Sequence, residues 1–294
     1  MKIGVVANRS KPQVSAVLRQ LAAMAADYGA TLHFEAATAR LAGQKKGLAL
    51  PALCRKIDLL VVVGGDGSLL RVVHDIYPSP VPILGVNVGH LGFLTAIKKE
   101  EVAAVFGEVF AGHLRYSPRR PFRLKVHSRG RAPRVIPCAL NDIVANRSSS
   151  SMAVIRVEVD GTFVNEYVAD GLVVSTSTGS TAYSLAAGGP ILSPESCGIL
   201  VTPICPHSLS NRSLLLPAGA RLRVEAPPQP RRIDLQYDGV DGGSLRAGDW
   251  AEIDVAEKPV TLAFLKHRDF FQILREKLKW RGAVRDEIPQ ESAA

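Results

Sequence analysis

Gly64-Gly65-Asp66-Gly67 follows the run Leu59-Leu60-Val61-Val62-Val63, which is apolar at every position. A run of that kind is expected of a strand buried on both faces of a parallel sheet. A carboxylate among glycines at the carboxyl end of such a strand stands where open α/β sheets bind ligands. Glycines permit positive φ and let backbone N–H groups come close to an anion. Helical spacing over residues 68–77 predicts a helix whose N-terminal dipole adds to the same anion seat. An aspartate at this spot can accept the proton of an attacking hydroxyl in phosphoryl transfer. It can also simply cap the helix. Arg71, one turn further on, is placed to face the same crevice and pair with a phosphate. Gly85, Gly89 and Gly92 form a second glycine-rich turn after the strand expected over 82–86. No G-x-x-x-x-G-K-[ST] occurs and no G-x-G-x-x-G follows a strand, so neither a P-loop nor a Rossmann fingerprint is present.

Two further segments carry polar chemistry. Asn141-Asp142 sets an amide beside a carboxylate, which together supply donor and acceptor for a ribose diol or an adenine edge; the pair is equally common in plain turns. Residues 170–190 begin at Asp170-Gly171, run through an apolar strand, and enter Ser175-Thr176-Ser177-Thr178-Gly179-Ser180. A helix of small residues is expected from Thr181, through Ala182, Tyr183, Ser184, Leu185 and Ala186, until Gly188-Gly189-Pro190 stops it. Hydroxyls and free amides at a helix entry suit a phosphorylated, polyhydroxylated ligand, and Tyr183 offers a ring on which a base can stack. His207, flanked by Pro206 and Ser208, reads as a loop-fixing histidine rather than a catalytic one.

Strands and helices alternate up to about residue 115: 2–7 and 31–34 read as strands, 14–28 as a helix. This predicts an α/β domain with a parallel sheet over 1–115, completed by 266–282. Over 116–265, short period-two runs separated by Asp160-Gly161, Asp238-Gly239 and Asp241-Gly242-Gly243 predict an all-β, sandwich-like domain. A helix from Phe270 is expected to pack back on the first domain, and 283–294 to be a loose tail. No basic leader with an apolar core precedes the first strand and no apolar run approaches membrane length, which points to a soluble cytoplasmic protein. Cys54, Cys138, Cys197 and Cys205 form no C-x-x-C pair and are expected to be reduced core thiols. A formal charge of +9 favours anionic ligands. Its densest segment runs from Arg119 to Arg134, and period-two alternation there reads as a solvated hairpin.

Together these segments resemble the NAD kinase family, some of whose members use polyphosphate. The resemblance rests on Gly64-Gly65-Asp66-Gly67, Gly89-His90-Leu91-Gly92-Phe93-Leu94, Asn141-Asp142, residues 170–190, the 206–212 segment and Leu274-Arg275-Glu276-Lys277-Leu278. It implies NAD bound between the two domains and phosphorylation of the 2′-hydroxyl of its adenosine ribose, with ATP as donor. Asp66 would be the base, with Gly67 and Arg71 beside the ligand. Asn141, Asp142 and Asp170 would hold the nucleotide, and Thr181, Ala182, Tyr183, Ser184, Leu185 and Ala186 would line the adenosine pocket. The family also implies Mg2+ carried on ATP rather than in a protein cage, and a homodimer or homotetramer with a shared site. This chain departs from the pattern at Ser177, where proline is usual, at Val240, where glutamine is common, and at Met152, Val168 and Ala169, where some members carry basic or imidazole side chains. A lipid kinase of the diacylglycerol or sphingosine type shares the short glycine motif but needs a greasy acceptor cleft, unlike the hydroxyl-rich 175–184 loop. A nucleic-acid-binding role would call for aromatic platforms among the basic residues, and aromatics are 6% of the chain and scattered.

Overall fold

The computed structural model describes residues 1–95 and 97–280. Its first sheet has seven strands. In spatial order they are Thr31–Phe34, Lys2–Ala7, Leu59–Gly64, Ile83–Asn87, Val260–Leu265 and Leu114–Arg119, with the short Ile97–Lys98 also beside Ile83–Asn87. Every pairing is parallel except that of Val260–Leu265 with Leu114–Arg119. Alternate residues of the central strand serve two cores. Leu59, Val61 and Val63 pack with Val17, Leu18 and Leu21 of helix Val14–Asp27. Leu60 and Val62 pack with Leu69, Val72 and Val73 of helix Asp66–Ile76 on the other side. Both faces being covered, no position in this strand can be polar.

The second unit is two antiparallel six-stranded sheets face to face. One runs Thr162–Ala169, Ala153–Val159, Leu222–Glu225, Trp250–Val255, Phe122–His127, Arg134–Ala139. The other runs Leu214–Pro217, Gly198–Ile204, Gly171–Thr176, Asp142–Arg147, Ile233–Tyr237, Val240–Leu245. Phe122, Leu124, Ile155 and Leu222 meet Ile143, Leu172, Val174 and Ile199 in the core between them. The fold is thus the expected α/β unit with a parallel sheet joined to a β sandwich. Val260–Leu265 falls within the 116–265 stretch of the chain yet continues the first sheet.

Helix Phe270–Leu278 does pack back on the first unit. Asp269 caps it, accepting from the Gln272 amide N–H at 2.7 Å. Ile273 enters the core behind Leu60 and Val62. Arg268 pairs with Glu101 at 2.6 Å and with Glu276 at 3.3 Å, and Lys98 reaches Glu276 at 3.1 Å. The tail over 283–294 lies outside the described residues.

Two expectations need correction. Cys54 and Cys138 are buried thiols, but Cys197 and Cys205 are exposed. Both exposed cysteines, with φ of 48° and 45°, lie just outside strand Gly198–Ile204, one at each end, beyond the positions that the sandwich core covers. The helix after the glycine motif starts at Asp66, two residues earlier than its apolar pattern indicates, because Gly65 in extended conformation serves as N-cap. Two cations of the basic hairpin are paired across strands: Arg123 with Asp254, and Lys125 with Glu252 at 2.7 Å.

Phe122 is completely buried between the sandwich sheets. Phe122→Ala is expected to lower unfolding free energy by about 3–5 kcal/mol, read from urea denaturation.

Candidate active site

Asp66 opens its helix at the carboxyl end of the central strand, and its carboxylate does not cap that helix. It faces the 93–95 loop instead. Oδ2 accepts from the Phe93 N–H at 2.8 Å; Oδ1 accepts from the N–H groups of Leu94 (3.2 Å) and Thr95 (2.9 Å) and from the Thr95 hydroxyl (2.7 Å). Asn87 Nδ2 donates to Thr95 Oγ1 at 2.7 Å. An amide nitrogen is donor only, so the Thr95 hydroxyl proton is left for Asp66. The loop comes this close because residue 92 is glycine: a Cβ there would sit 1.9 Å from Asp66 Oδ1. The corner is therefore held by hydrogen bonds and is not slack. Gly64, Gly65 and Gly67 do not use positive φ, although the sequence allows it. Their value is in space. A Cβ on Gly64 would strike Ser68 at 2.6 Å, while one on Gly65 or Gly67 would meet nothing within 4 Å, which leaves approach to the backbone open.

Arg71 is exposed and faces a cleft of about 630 Å³ at the ends of strands Lys2–Ala7 and Leu59–Gly64. Asn8, Arg9, Ser10 and Ser68 line it from one side, with Glu35 and Asp75 nearby. Asn8 Nδ2 donates to Ser68 Oγ at 2.9 Å and so fixes the loop that carries Arg9. Two guanidinium groups at the mouth of a strand-end cleft suit a polyphosphate. The sequence pattern pointed to Arg71 but not to Arg9, whose loop carries no glycine signal.

The second unit brings its own groups to this region. Asn141 precedes strand Asp142–Arg147, and its carbonyl accepts from Thr176 N at 2.8 Å. A Cβ at Gly179 would lie 2.0 Å from that carbonyl, so the 176–186 loop can seat against Asn141 only with glycine there. Asp142 is 5% exposed. Burial first, then the charge of Asp238, push its carboxyl up to about 7, against the pull of the Tyr183 backbone N–H. Asp238 accepts from the N–H groups of Leu140 (2.7 Å), Asn141 (2.6 Å) and Asp142 (3.1 Å), and His74 Nε2 meets its Oδ2 at 2.7 Å. Sequence reading passed over His74 and took Asp238-Gly239 for a spacer; the signal was an acidic residue opening a turn that three amides could cap.

The hydroxyl-rich loop differs from expectation. In place of a helix from Thr181 there is a 3-10 turn, Gly179–Thr181, then a single helical turn, Tyr183–Ala186. Its hydroxyls tie the loop to the surrounding strands and to itself: Thr176 donates to the Leu140 carbonyl at 2.7 Å, Ser180 to the Ser177 carbonyl at 2.8 Å, and Ser184 meets Thr202 at 3.0 Å. Ser184 is fully buried and turned from solvent. Tyr183, 42% exposed, stands free with Ala186, while Thr181, Ala182 and Leu185 are half-buried. Thr178 and Thr181 share a small cavity with Phe93 and Leu94, so this loop adjoins the one that holds Asp66. Arg119 lines the same cavity, over the Phe264 ring, and burial pushes its guanidinium down to about 10.

Asp170 is the expected site residue that is not brought in. The register Gly171↔Asn146 and Ser175↔Asp142 puts it at the far end of strand Gly171–Thr176. That is about 17 Å from Asp142 at roughly 3.4 Å per residue. There it pairs with Arg147 at 2.7 Å. His207 is exposed and joined to Val168 by its backbone N–H, which matches a loop role.

A carboxylate at a strand end, a sandwich loop adjoining the loop that holds it, and an arginine-lined cleft along the same helix make the frame of a two-domain phosphotransferase acting on nucleotides. Comparison with known proteins narrows this. Residues 3–114 match the ATP-NAD kinase N-terminal domain family, and residues 140–265 match the ATP-NAD kinase C-terminal domain family. The NAD kinase of Desulforamulus reducens is 36% identical over 284 residues, covering 96% of this chain and 99% of that one. That of Moorella thermoacetica is 37% identical, covering 97% and 92%. Yeast NADH kinase in complex with NADH superposes with a TM-score of 0.86 at 26% identity, covering 97% of this chain and 89% of that one. An NAD kinase from Archaeoglobus fulgidus in complex with ATP shares the fold, with a TM-score of 0.71 at 23% identity, covering 96% of this chain and 100% of that one. The chain belongs to the NAD kinase family.

Asp142 gives a pH prediction. Its carboxyl is raised from 3.8 to about 7, so the folded state holds a proton the unfolded chain has released. The contribution of Asp142 to stability is therefore fully present below about pH 4 and is lost as pH rises through about 7, on the order of a few kcal/mol. Asp142→Asn removes this slope, so denaturation midpoints measured from pH 4.5 to 7.5 should decline less in the variant than in the wild type.

Proposed function

We propose that this protein is an NAD kinase that moves the terminal phosphoryl group of ATP to the 2′-hydroxyl of the adenosine ribose of NAD, giving NADP. The observation that carries the reading is the Asp66 carboxylate, fixed by three backbone N–H groups and the Thr95 hydroxyl at the start of the helix whose Arg71 lines a cleft with Arg9. Oδ2 has one protein donor, which leaves it a lone pair for the ribose hydroxyl. As the hydroxyl oxygen bonds to phosphorus, its proton passes to Asp66. The bond to the bridging oxygen breaks and ADP departs. Little covalent chemistry is asked of the protein, so rate comes from positioning and from charge held near the transferring group. Arg9 and Arg71 supply positive charge for the triphosphate; Asn141, Asp142 and the exposed ring of Tyr183 hold the adenosine. Ser184 contributes to the loop's shape through Thr202 rather than by touching the nucleotide.

Mg2+ belongs to the same proposal as a companion of the donor. Glu35 and Asp75 line the cleft with the arginines, but among the described residues no three His, Cys, Asp or Glu side chains come together as a metal cage. In this proposal the ion would arrive on the phosphates and neutralise their charge, with Glu35 and Asp75 in reach of the cleft. A homodimer or homotetramer is also proposed. Asp170 is too distant to join Asp142 within one chain, and the edge strand Thr162–Ala169 next to it exposes Phe163, Val164 and Val168. A second copy docking there would carry Asp170 into its neighbour's site. Cytoplasmic residence is the last element. Among the described residues no helix is long and apolar enough to cross a membrane, and all four cysteines are unpaired.

Incubation with NAD or NADH, Mg2+, and either ATP or polyphosphate, followed by an NADP-specific enzymatic readout, tests the reading and identifies the donor; absence of product under every combination refutes it. In that assay Asp66→Asn should lower kcat roughly 10²–10⁴-fold. NAD binding measured by calorimetry should stay within a few-fold of wild type, since shape and most hydrogen bonds survive. Gly92→Ala should lower kcat on the order of 10²-fold by forcing the 93–95 loop off Asp66, with circular dichroism unchanged.

A further inference from the structure

Helix Asp66–Ile76 belongs to the first unit, and its inner face rests on Cys138 and Leu140 of the second. Apolar packing of that kind resists separation but tolerates sliding. One directional contact crosses the same boundary. His74 Nε2 lies 2.7 Å from Asp238 Oδ2, with the histidine side chain 15% exposed and the aspartate side chain fully buried. An ionised carboxylate is acceptor only, so Nε2 carries the proton and donates. Asp238 occupies the turn between Ile233–Tyr237 and Val240–Leu245 at φ 46°, a conformation that aspartate tolerates better than most residues. Its two oxygens also take the three N–H groups of Leu140, Asn141 and Asp142. The Tyr237 ring lies 5.3 Å from the imidazole and limits its rotation.

These contacts form a chain. Asp66 and His74 are two turns apart on one helix; His74 holds Asp238, and Asp238 holds the backbone that presents Asn141 and Asp142. We infer that His74 and Asp238 act as a latch setting the 140–142 segment against Asp66, which makes His74 a positioning residue for phosphoryl transfer. The inference rests on the NAD kinase reading above. Loss of the latch leaves Asp238 with its three amides, so the second unit keeps its fold. What is lost is the alignment between base and dinucleotide.

The test is steady-state kinetics of NADP formation by the full-length protein, with NAD and ATP varied in turn. His74→Ala and His74→Asn, whose amide is too short to reach, should lower kcat/KM for NAD roughly ten- to a hundredfold. KM for ATP should stay at the wild-type value. His74→Gln puts a donor near the position of Nε2 and should recover most of the loss. In a double-mutant cycle with Asp238→Asn the two losses should fall well short of additive. The latch is overturned if the Asn and Gln variants are equally impaired, if both keep wild-type constants, or if KM for ATP moves as much as KM for NAD. No NADP from the wild-type protein removes the underlying reading itself, and the latch with it.

Discussion

A carboxylate that must approach a polyphosphate works against its own charge. It has to remain ionised to take a proton, yet it repels the group being transferred. In the transfer proposed for this protein that conflict falls on Asp66, which is ringed by the amides of residues 93–95 and the Thr95 hydroxyl, the hydroxyl itself aligned by Asn87. Much of the first unit serves this arrangement. Strand Leu59–Gly64 is apolar throughout so that it can run between two layers and deliver Asp66 at its end. Strand Ile83–Asn87 lies beside it, Val63 opposite Val86 and Gly64 opposite Asn87, which puts Asn87 level with the turn. Gly92 then lets the next loop fold down onto the carboxylate.

The sandwich solves a different problem, that of presenting a polar loop without losing order. Hydroxyl groups left free in a loop invite many conformations. Here Thr176, Ser177, Ser180 and Ser184 are tied to backbone or to one another, so the turn is stiff although it holds no long helix. Tyr183, 42% exposed, is left facing outward. Recognition by a stiff loop forfeits less conformational entropy when the ligand is seated.

How much of this could be read from the residues depends on the range of the interaction. Leu59-Leu60-Val61-Val62-Val63 announces a strand with both faces covered because burial acts on each residue where it stands. The alternating runs beyond residue 115 disclose the sandwich for the same reason. Asp66 stood out because three glycines around one carboxylate are more than a helix cap requires, whereas Asn141-Asp142 read equally well as a plain turn. What escaped was set by contacts between distant segments. Nothing local to His74 tells that a turn 164 positions later will meet it. Nothing in Ser184 tells that Thr202 will claim its hydroxyl and withdraw it from the surface. Asp170 sits in the right motif, yet the register of a strand carries it away from its companions. The exposed thiols of Cys197 and Cys205 lie just past the two ends of strand Gly198–Ile204, a boundary that composition does not encode.

Strand Val260–Leu265 lies between Ile83–Asn87 and Leu114–Arg119, so the first sheet is completed by a segment made after the whole sandwich. During synthesis the chain therefore emerges in an awkward order. The early strands appear with an open edge at Ile83–Asn87, and more than 170 residues must follow before that edge is filled. The sandwich strands up to Val255 are all contiguous within that interval and can assemble while the older sheet waits. Closure of so long a loop costs entropy that only the finished contacts repay, and until then the part of the edge that Ile97–Lys98 leaves uncovered presents unpaired backbone groups.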